Sequence, residues 1–220
     1  MHKSRKTIIL VTLILLKFLL QYYLISPEYD LQRDEYLHLD QANFPAWGYL
    51  SVPPVTSWIS FLIQLLGNSV FWVRFFPALF GALTILVVWK TIEALKGDLF
   101  ALLLGAGGLL FSAMLRLNLL YQPNSLDILC WTSFYYLYIR YINSGNSKWL
   151  FAGALVFGVG FLNKYNFVFL LAGLTPAVLL TRHRAVFVQK NFFAALVVGL
   201  LLILPNLLWQ YNNGFPVLHH

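Results

Sequence analysis

Residues 70–92 read VFWVRFFPALFGALTILVVWKTI, an apolar run whose one charge before the final turn is Arg74. At a rise of 1.5 Å per residue, a helix of this length crosses the roughly 30 Å hydrocarbon core of a bilayer. Similar runs recur along the chain, and 60% of its 220 residues are hydrophobic whereas 10% are charged. Because soluble domains carry about 25% charged residues, the sequence predicts an integral membrane protein.

The same length rule predicts an all-α fold, a polytopic transmembrane helical bundle of about seven spans in one domain, 1–220. The predicted spans are 7–25, 70–92, 98–118, 125–142, the two halves of 149–180, and 191–209. The run 149–180 is too long for one helix, and Asn163-Lys164-Tyr165-Asn166 interrupts it. We therefore expect two short spans joined by a polar tip.

Residues 26–69 are predicted to form an outer loop that holds one or two interfacial amphipathic helices. After Pro53-Pro54, apolar residues recur at helical spacing, which predicts a helix lying in the membrane interface. These residues are Val55, Trp58, Ile59, Leu62, Ile63 and Leu66. Residues 33–44 are expected to form a second such helix.

The distribution of Lys and Arg predicts the orientation. With the N-terminus in the cytoplasm, ten basic residues fall on the cytoplasmic side and four on the outer side, a clear positive-inside bias. The ten are Lys3, Arg5, Lys6, Lys90, Lys96, Arg140, Lys148, Arg182, Arg184 and Lys190. The four are Arg33, Arg74, Arg116 and Lys164. This arrangement accounts for the net charge of +7, so the charge does not indicate a nucleic-acid partner. The sequence contains no nucleic-acid-binding motif.

Acidic residues cluster in the predicted outer loop. Five of the eight in the chain are Glu28, Asp30, Asp34, Glu35 and Asp40. Because neighbours on a helix point about 100° apart, at most one of Asp34 and Glu35 faces a given site. Asp34, His38 and Gln41 share one helical face. Carboxylates beside lipid favour a functional role, and the alternative is a solvated acidic loop.

Other outward polar residues have two interpretations each. Asp127 follows Gln122-Pro123-Asn124-Ser125 and either belongs to the site or stabilises the start of a helix that Ser125 caps. Arg74 and Lys164 either bind an anion or pair with an acid. Both kinds of charge at the lipid boundary fit transfer of a sugar from a lipid phosphate to a hydroxyl, with one carboxylate as general base.

The ordered motifs of this chain resemble the N-terminal half of GT-C type, polyprenyl-phosphate-sugar-dependent membrane glycosyltransferases. The most similar group is the bacterial one related to protein O-mannosyltransferases and lipid A aminoarabinose transferases. The motifs are Arg33-Asp34-Glu35-Tyr36, Trp47-Gly48-Tyr49 with Pro53-Pro54, Arg74-Phe75-Phe76-Pro77-Ala78-Leu79, Pro123-Asn124-Ser125-Leu126-Asp127, Gly158-Val159-Gly160-Phe161-Leu162-Asn163-Lys164-Tyr165 and Leu204-Pro205-Asn206-Leu207-Leu208-Trp209-Gln210.

This resemblance implies roles for the outward residues. Asp34 would be the catalytic base, with Glu35 and Asp127 as further acids of the site. Lys164, together with Arg33 and Arg74, would lie at the donor phosphate, Arg74 with a more structural part. Where relatives often carry a polar residue before the Pro-Pro pair, this chain has Val52.

The expected partners are a polyprenyl-phosphate-linked sugar, a lipid, glycan or protein acceptor, and membrane lipids. No metal ligand set is predicted, and dependence on a divalent metal is left open. The expected location is the bacterial inner membrane, with the active site on the periplasmic or extracellular face. The chain is expected to be the N-terminal part of a longer architecture. The alternatives are a lipid-linked sugar transporter or flippase, and a truncated non-catalytic fragment.

Overall fold

The computed structural model describes residues 3–25 and 30–218, so Glu28 of the acidic cluster lies outside the described residues. Within these ranges every regular element is helical, which confirms the all-α prediction. The α-helices are α1 Lys3–Tyr23, α2 Arg33–Asp40, α3 Val55–Leu65, α4 Val70–Ala94, α5 Leu99–Leu110, α6 Ala113–Leu117, α7 Pro123–Ser144, α8 Lys148–Asn163, α9 Phe167–Leu179 and α10 Lys190–Asn212. Three 3-10 helices cover Gln41–Asn43, Arg182–Val188 and Pro216–Leu218.

Three helices, α1, α4 and α10, are long and apolar enough to cross a membrane by length and composition. Helix α7 has 22 residues, and α5, α8 and α9 are shorter apolar helices of 12, 16 and 13 residues. The described residues thus contain three candidate spans. The count of about seven stays a prediction.

The predicted span 98–118 is broken in two. Helix α5 ends at Leu110, and Ser112 then starts the short helix α6 by accepting a hydrogen bond from the Met114 N–H at 3.2 Å. A serine hydroxyl competes with the backbone for such donors, which favours a helix start over a helix interior. The prediction of one continuous helix here was therefore wrong.

The two predicted halves of 149–180 are present as a helical hairpin. Helix α8 ends at Asn163, helix α9 begins at Phe167, and the polar tip between them is residues 164–166. Helix α7 packs against α4 and α8, and α8 packs against α10. The largest core cluster lies between these helices and includes Leu126, Phe161 and Phe167 together with buried Cys130.

Helix α1 is joined to α4 by a buried lysine. The ammonium of Lys17, which is 1% exposed, donates to Gln21 Oε1 at 2.9 Å and to the Ala78 carbonyl at 2.7 Å. A Cβ added to Gly81 would overlap the side chains of Lys17 and Asn118. Gly81 therefore allows the close approach by which two of the three N–H donors of the lysine find uncharged acceptors.

Helix α3, which follows Pro53-Pro54 as predicted, turns its polar face inward. Thr56, Ser57 and Ser60 are buried, whereas Phe61 and Leu65 are exposed. Ser60 Oγ lies 2.9 Å from the hydroxyl of buried Tyr121, which donates to the Thr56 carbonyl at 2.7 Å. An apolar outer face and a hydrogen-bonded inner face suit an interfacial helix, and that location stays a prediction.

Candidate active site

The tip of the α8–α9 hairpin is fixed by side-chain hydrogen bonds of its three residues and of Asn163, which ends α8. Asn163 Nδ2 donates to the Pro123 carbonyl at 2.9 Å, and Asn166 Nδ2 donates to Asp127 Oδ2 at 3.0 Å. The remaining contacts join Lys164 to Asn124 at 2.8 Å, and Tyr165 to Asn206 and Gln210 of α10 at 3.2 and 2.8 Å. The tip therefore holds the start of α7 against the end of α10.

Glu35 is fully buried and ties three segments together. One carboxylate oxygen accepts hydrogen bonds from a guanidinium N–H of Arg74 and from the backbone N–H of Tyr121, the latter at 2.6 Å. The other accepts from the Gln32 backbone N–H at 2.7 Å, which caps helix α2. Arg74 donates also to the Leu119 carbonyl. Both charges are thereby used in joining α2, α4 and the α6–α7 connection.

Asp34, the neighbour of Glu35, points to a different environment, as the 100° spacing requires. Its side chain is 48% exposed and lies 3.3 Å from the Nε of Arg33, which is itself 95% exposed. Its second oxygen accepts a hydrogen bond from Gln122 Nε2 at 3.3 Å. Of this adjacent acidic pair, Asp34 is therefore the carboxylate that a substrate can reach.

A chain of hydrogen bonds runs from Lys164 to Asp34. The Lys164 ammonium donates to Asn124 Oδ1 at 2.8 Å, and Asn124 Nδ2 donates to Gln122 Oε1 at 3.1 Å. Gln122 Nε2 then reaches Asp34. Because an ammonium only donates and a carboxylate only accepts, the two ends set the orientation of both amides. Asp34 and Lys164 thus belong to one polarised network across the start of α7.

Asp127 is buried and lies one turn into α7. Its two oxygens accept from the indole N–H of Trp131 at 3.1 Å and from Asn166 at 3.0 Å. The helix begins at Pro123, and Ser125 donates to the Leu117 carbonyl at 3.4 Å instead of capping. The alternative in which Ser125 caps the helix was therefore wrong, and Asp127 anchors the hairpin tip.

His38 follows Asp34 by one turn and is 4% exposed. Its Nδ1 lies 3.5 Å from Gln41 Oε1, which also accepts from Ser57 Oγ at 2.9 Å. Burial lowers the pKa of the His38 imidazole below its usual 6.5, so the ring is neutral at neutral pH. Among the described residues no three His, Cys, Asp or Glu side chains are grouped to hold a metal ion.

The structure brings most predicted site residues to one end of the bundle. Asp34 and Lys164 share a network, Asp127 lies beside the same hairpin tip, and Arg74 pairs with Glu35. Sequence reasoning missed Gln122 and Asn124, because amides beside Pro123 were interpreted only as the start of a helix. Their signal was the concentration of neutral polar residues at the start of α7, which the charge distribution predicts to be its outer end.

Chemically, the network combines the accessible carboxylate of Asp34 with the ammonium of Lys164. The half-exposed Asp34 carboxylate, which contacts the exposed Arg33 and the Gln122 amide, can accept a proton from a bound hydroxyl. Lys164 uses one of its three N–H donors on Asn124, which leaves donors for an anion. The arrangement can therefore deprotonate one group and stabilise negative charge on another.

The sequence profile of the dolichyl-phosphate-mannose-protein mannosyltransferase family matches residues 51–209. The lipid A galacturonosyltransferase RgtD of Rhizobium johnstonii is 26% identical over 194 residues, covering 83% of this chain and 40% of that protein. The chain thus spans well under half the length of this relative. No solved structure matches it.

Proposed function

The chain belongs to the dolichyl-phosphate-mannose-protein mannosyltransferase family of GT-C membrane glycosyltransferases, as its motifs predicted, and we propose that it transfers a sugar from a polyprenyl-phosphate donor to an acceptor hydroxyl. The single observation that carries this proposal is the network that runs from Asp34 through Gln122 and Asn124 to Lys164. It supports the proposal because it joins a carboxylate, which can accept a proton, to an ammonium, which can bind a phosphate, through two hydrogen-bonded amides.

Lys164 is proposed to bind the donor phosphate. The phosphate oxygen that carries the sugar gains negative charge as the bond to the sugar breaks, and a fixed ammonium stabilises that charge. Asn124 orients the ammonium without neutralising it, because an amide oxygen is an uncharged acceptor. Arg33 is exposed enough to contribute to phosphate binding. Arg74 is less suited, because Glu35 and Leu119 occupy its guanidinium.

Asp34 is proposed as the general base. Its carboxylate takes the proton from the acceptor hydroxyl while the hydroxyl oxygen bonds to the anomeric carbon. The bond between that carbon and the phosphate oxygen breaks, and its electron pair leaves with the polyprenyl phosphate. A phosphate leaving group needs little protonation, so one carboxylate is enough, whereas glycoside hydrolysis uses two.

Glu35 and Asp127 have supporting roles in this account. Glu35 holds α2, and therefore Asp34, against α4 through Arg74. Asp127 holds the hairpin tip that carries Lys164 through Asn166. These two buried acids fix the distance between base and cation, which is the positioning that transfer between two bound substrates requires.

The location is proposed from the charge distribution. An N-terminus in the cytoplasm places Asp34 and Lys164 on the outer face of a bacterial inner membrane, where a flipped lipid-linked sugar is exposed. The relative RgtD is named for transfer to lipid A, so a glycolipid is the first acceptor to test, with glycan and protein acceptors next. The seven-span topology is part of the same proposal.

The proposal is tested with purified protein reconstituted into lipid vesicles and a panel of radiolabelled polyprenyl-phosphate sugars. We expect transfer of label to an added acceptor with release of polyprenyl phosphate. Label that crosses vesicle membranes without forming a transfer product would instead support a flippase. Donor binding with no transfer to any acceptor would mean that the 220-residue chain does not catalyse the reaction alone.

A further inference from the structure

A large apolar cavity lies between α7, α8, α9 and α10, away from the candidate active site. Its volume is about 300 Å³, and its walls include Trp149, Phe157, Leu174, Phe187 and Leu196. The α7 residues that line it begin at Phe134, about 15 Å along the helix from Asn124. The cavity therefore occupies the end of the bundle opposite Asp34 and Lys164.

Three basic residues, Lys148, Arg182 and Arg184, adjoin residues that line this cavity and are called its basic rim here. The ammonium of Lys148 lies 4.9 Å from the ring centroid of Trp149, and the guanidinium of Arg140 lies 4.4 Å from it. The 3-10 helix Arg182–Val188 contributes Phe187 to the wall and presents exposed Arg182 and Arg184. The ring of Trp149 thus joins the apolar wall to the basic rim.

Among the described residues no ion pair joins a carboxylate to Lys148, Arg182 or Arg184. The sequence contains no Asp or Glu after Asp127. The two acids at the same end of the described bundle are engaged elsewhere: Glu93 accepts from Lys90 at 2.8 Å, and Asp98 caps α5 by accepting from the Ala101 N–H at 2.9 Å. Cations without counter-charges beside an apolar cavity match a ligand with an anionic head and a hydrocarbon chain.

We propose that this cavity binds one anionic phospholipid, with an acyl chain between α8, α9 and α10 and its phosphate on Lys148, Arg182 and Arg184. The acyl chain fills apolar space that water occupies at a cost. The phosphate meets cations near the lipid surface, where each strengthens binding. The site belongs to the lipid leaflet at this end of the bundle and takes no part in sugar transfer.

The charge of the rim also favours a phospholipid over the hydrocarbon tail of a sugar donor as the occupant of the cavity. A donor held by Lys164 has its phosphate at the other end of α8, about 24 Å from Lys148 along a helix of 16 residues. Its tail would enter the cavity as neutral hydrocarbon and would leave the basic rim without a partner. A phospholipid would fill the cavity with an acyl chain and contact the rim with its phosphate.

The test is native mass spectrometry of the purified chain from mixed detergent micelles. The probes are phosphatidylglycerol and phosphatidylcholine with identical acyl chains. Lys148→Gln, Arg182→Gln and Arg184→Gln are combined in one variant, and Leu196→Trp fills the cavity in another. Arg5→Gln, Lys6→Gln and Lys96→Asn remove three charges at the same end, away from the cavity, as the matched control.

We expect one phosphatidylglycerol to be retained about tenfold more than phosphatidylcholine. The triple rim variant should bring this ratio close to one, Leu196→Trp should lose the bound lipid, and the control should behave as wild type. Equal retention of both lipids by the wild type, or a preference that persists in the rim variant, would overturn the proposal. Displacement of phosphatidylglycerol by an added polyprenyl phosphate would also overturn it and assign the cavity to the donor tail.

Discussion

Arg74 and Glu35 form a buried ion pair that joins helix α4 to helix α2, with side-chain exposures of 13% and 0%. Removing one partner of such a pair leaves a charge in a site that water does not reach, which costs about 3–5 kcal/mol. We therefore expect Arg74→Leu to lower the Tm of the purified protein strongly, as measured by tryptophan fluorescence in detergent. The double variant Glu35→Leu with Arg74→Leu should recover part of the loss.

Arg33→Leu is the matched control, because it removes the same side chain from a position that is 95% exposed. Its effect on the free energy of unfolding should stay within about 0.5 kcal/mol. If Arg74→Leu melted at the wild-type temperature, the ion pair would not be what holds α2 in place.

Asn124 is expected to set the charge available at Lys164. Asn124→Asp places a carboxylate where the amide oxygen now accepts from the ammonium at 2.8 Å, so the lysine gains an internal counter-ion in competition with phosphate. We predict about tenfold weaker binding of a polyprenyl phosphate, a loss of roughly 1.4 kcal/mol. Microscale thermophoresis in detergent measures the Kd.

The control for this change is Asn212→Asp, which adds the same charge to an exposed position at the end of α10. Its Kd should equal that of the wild type. Equal weakening by both substitutions would mean that general charge, not the contact with Lys164, determines donor binding.

Asp127 is predicted to act by anchoring and not by proton transfer. The Oδ1 of Asn166 is buried and has no hydrogen-bond partner among the described residues, while Nδ2 donates to Asp127. In Asp127→Asn the Asn166 amide can turn and accept from the new amide group, so stability and transfer should be nearly unchanged. Asp127→Leu leaves the Trp131 N–H and the Asn166 amide without partners, which costs about 1–3 kcal/mol.

Thermal unfolding and a transfer assay on both Asp127 variants check this prediction. A loss of transfer in Asp127→Asn at wild-type Tm would show that the negative charge itself takes part in the reaction.

Gly81 is predicted to be required for the contact between α1 and α4. A methyl group there overlaps Lys17 and Asn118, so Gly81→Ala should destabilise by about 1–3 kcal/mol. In Gly108→Ala the added Cβ meets no atom within 4 Å, and helix propensity makes the change neutral or slightly stabilising. A difference in Tm between these two variants checks the prediction, and equal values would contradict it.

The sequence was most informative where polarity changed sharply along the chain. The polar tetrad Asn163–Asn166 inside an apolar run located the α8–α9 hairpin, and the hairpin is present. The break at Ser112 was missed because one serine in an apolar run is compatible with a continuous helix. In the structure, the extended backbone of Ser112 and the hydrogen bond that its Oγ accepts from the Met114 N–H mark a helix start.

The contacts between side chains were harder to predict than the positions of the helices. The sequence left Arg74 either to bind an anion or to pair with Asp34, Glu35 or Asp127. The pairing with Glu35 depends on how α2 packs against α4. Gln122 and Asn124 carry no charge and so gave no electrostatic signal. Their importance comes from bridging two charges that tertiary structure brings together.

The central claim, that Asp34 is the base and Lys164 the phosphate-binding cation, is tested most directly by measuring transfer and donor binding on the same samples. Asp34→Asn keeps the size and the contact with Gln122 but cannot accept a proton. It should lose about 10²- to 10⁴-fold in transfer rate with an unchanged Kd for polyprenyl phosphate, whereas Lys164→Gln should weaken donor binding. A transfer rate in Asp34→Asn within a few-fold of wild type would contradict the account.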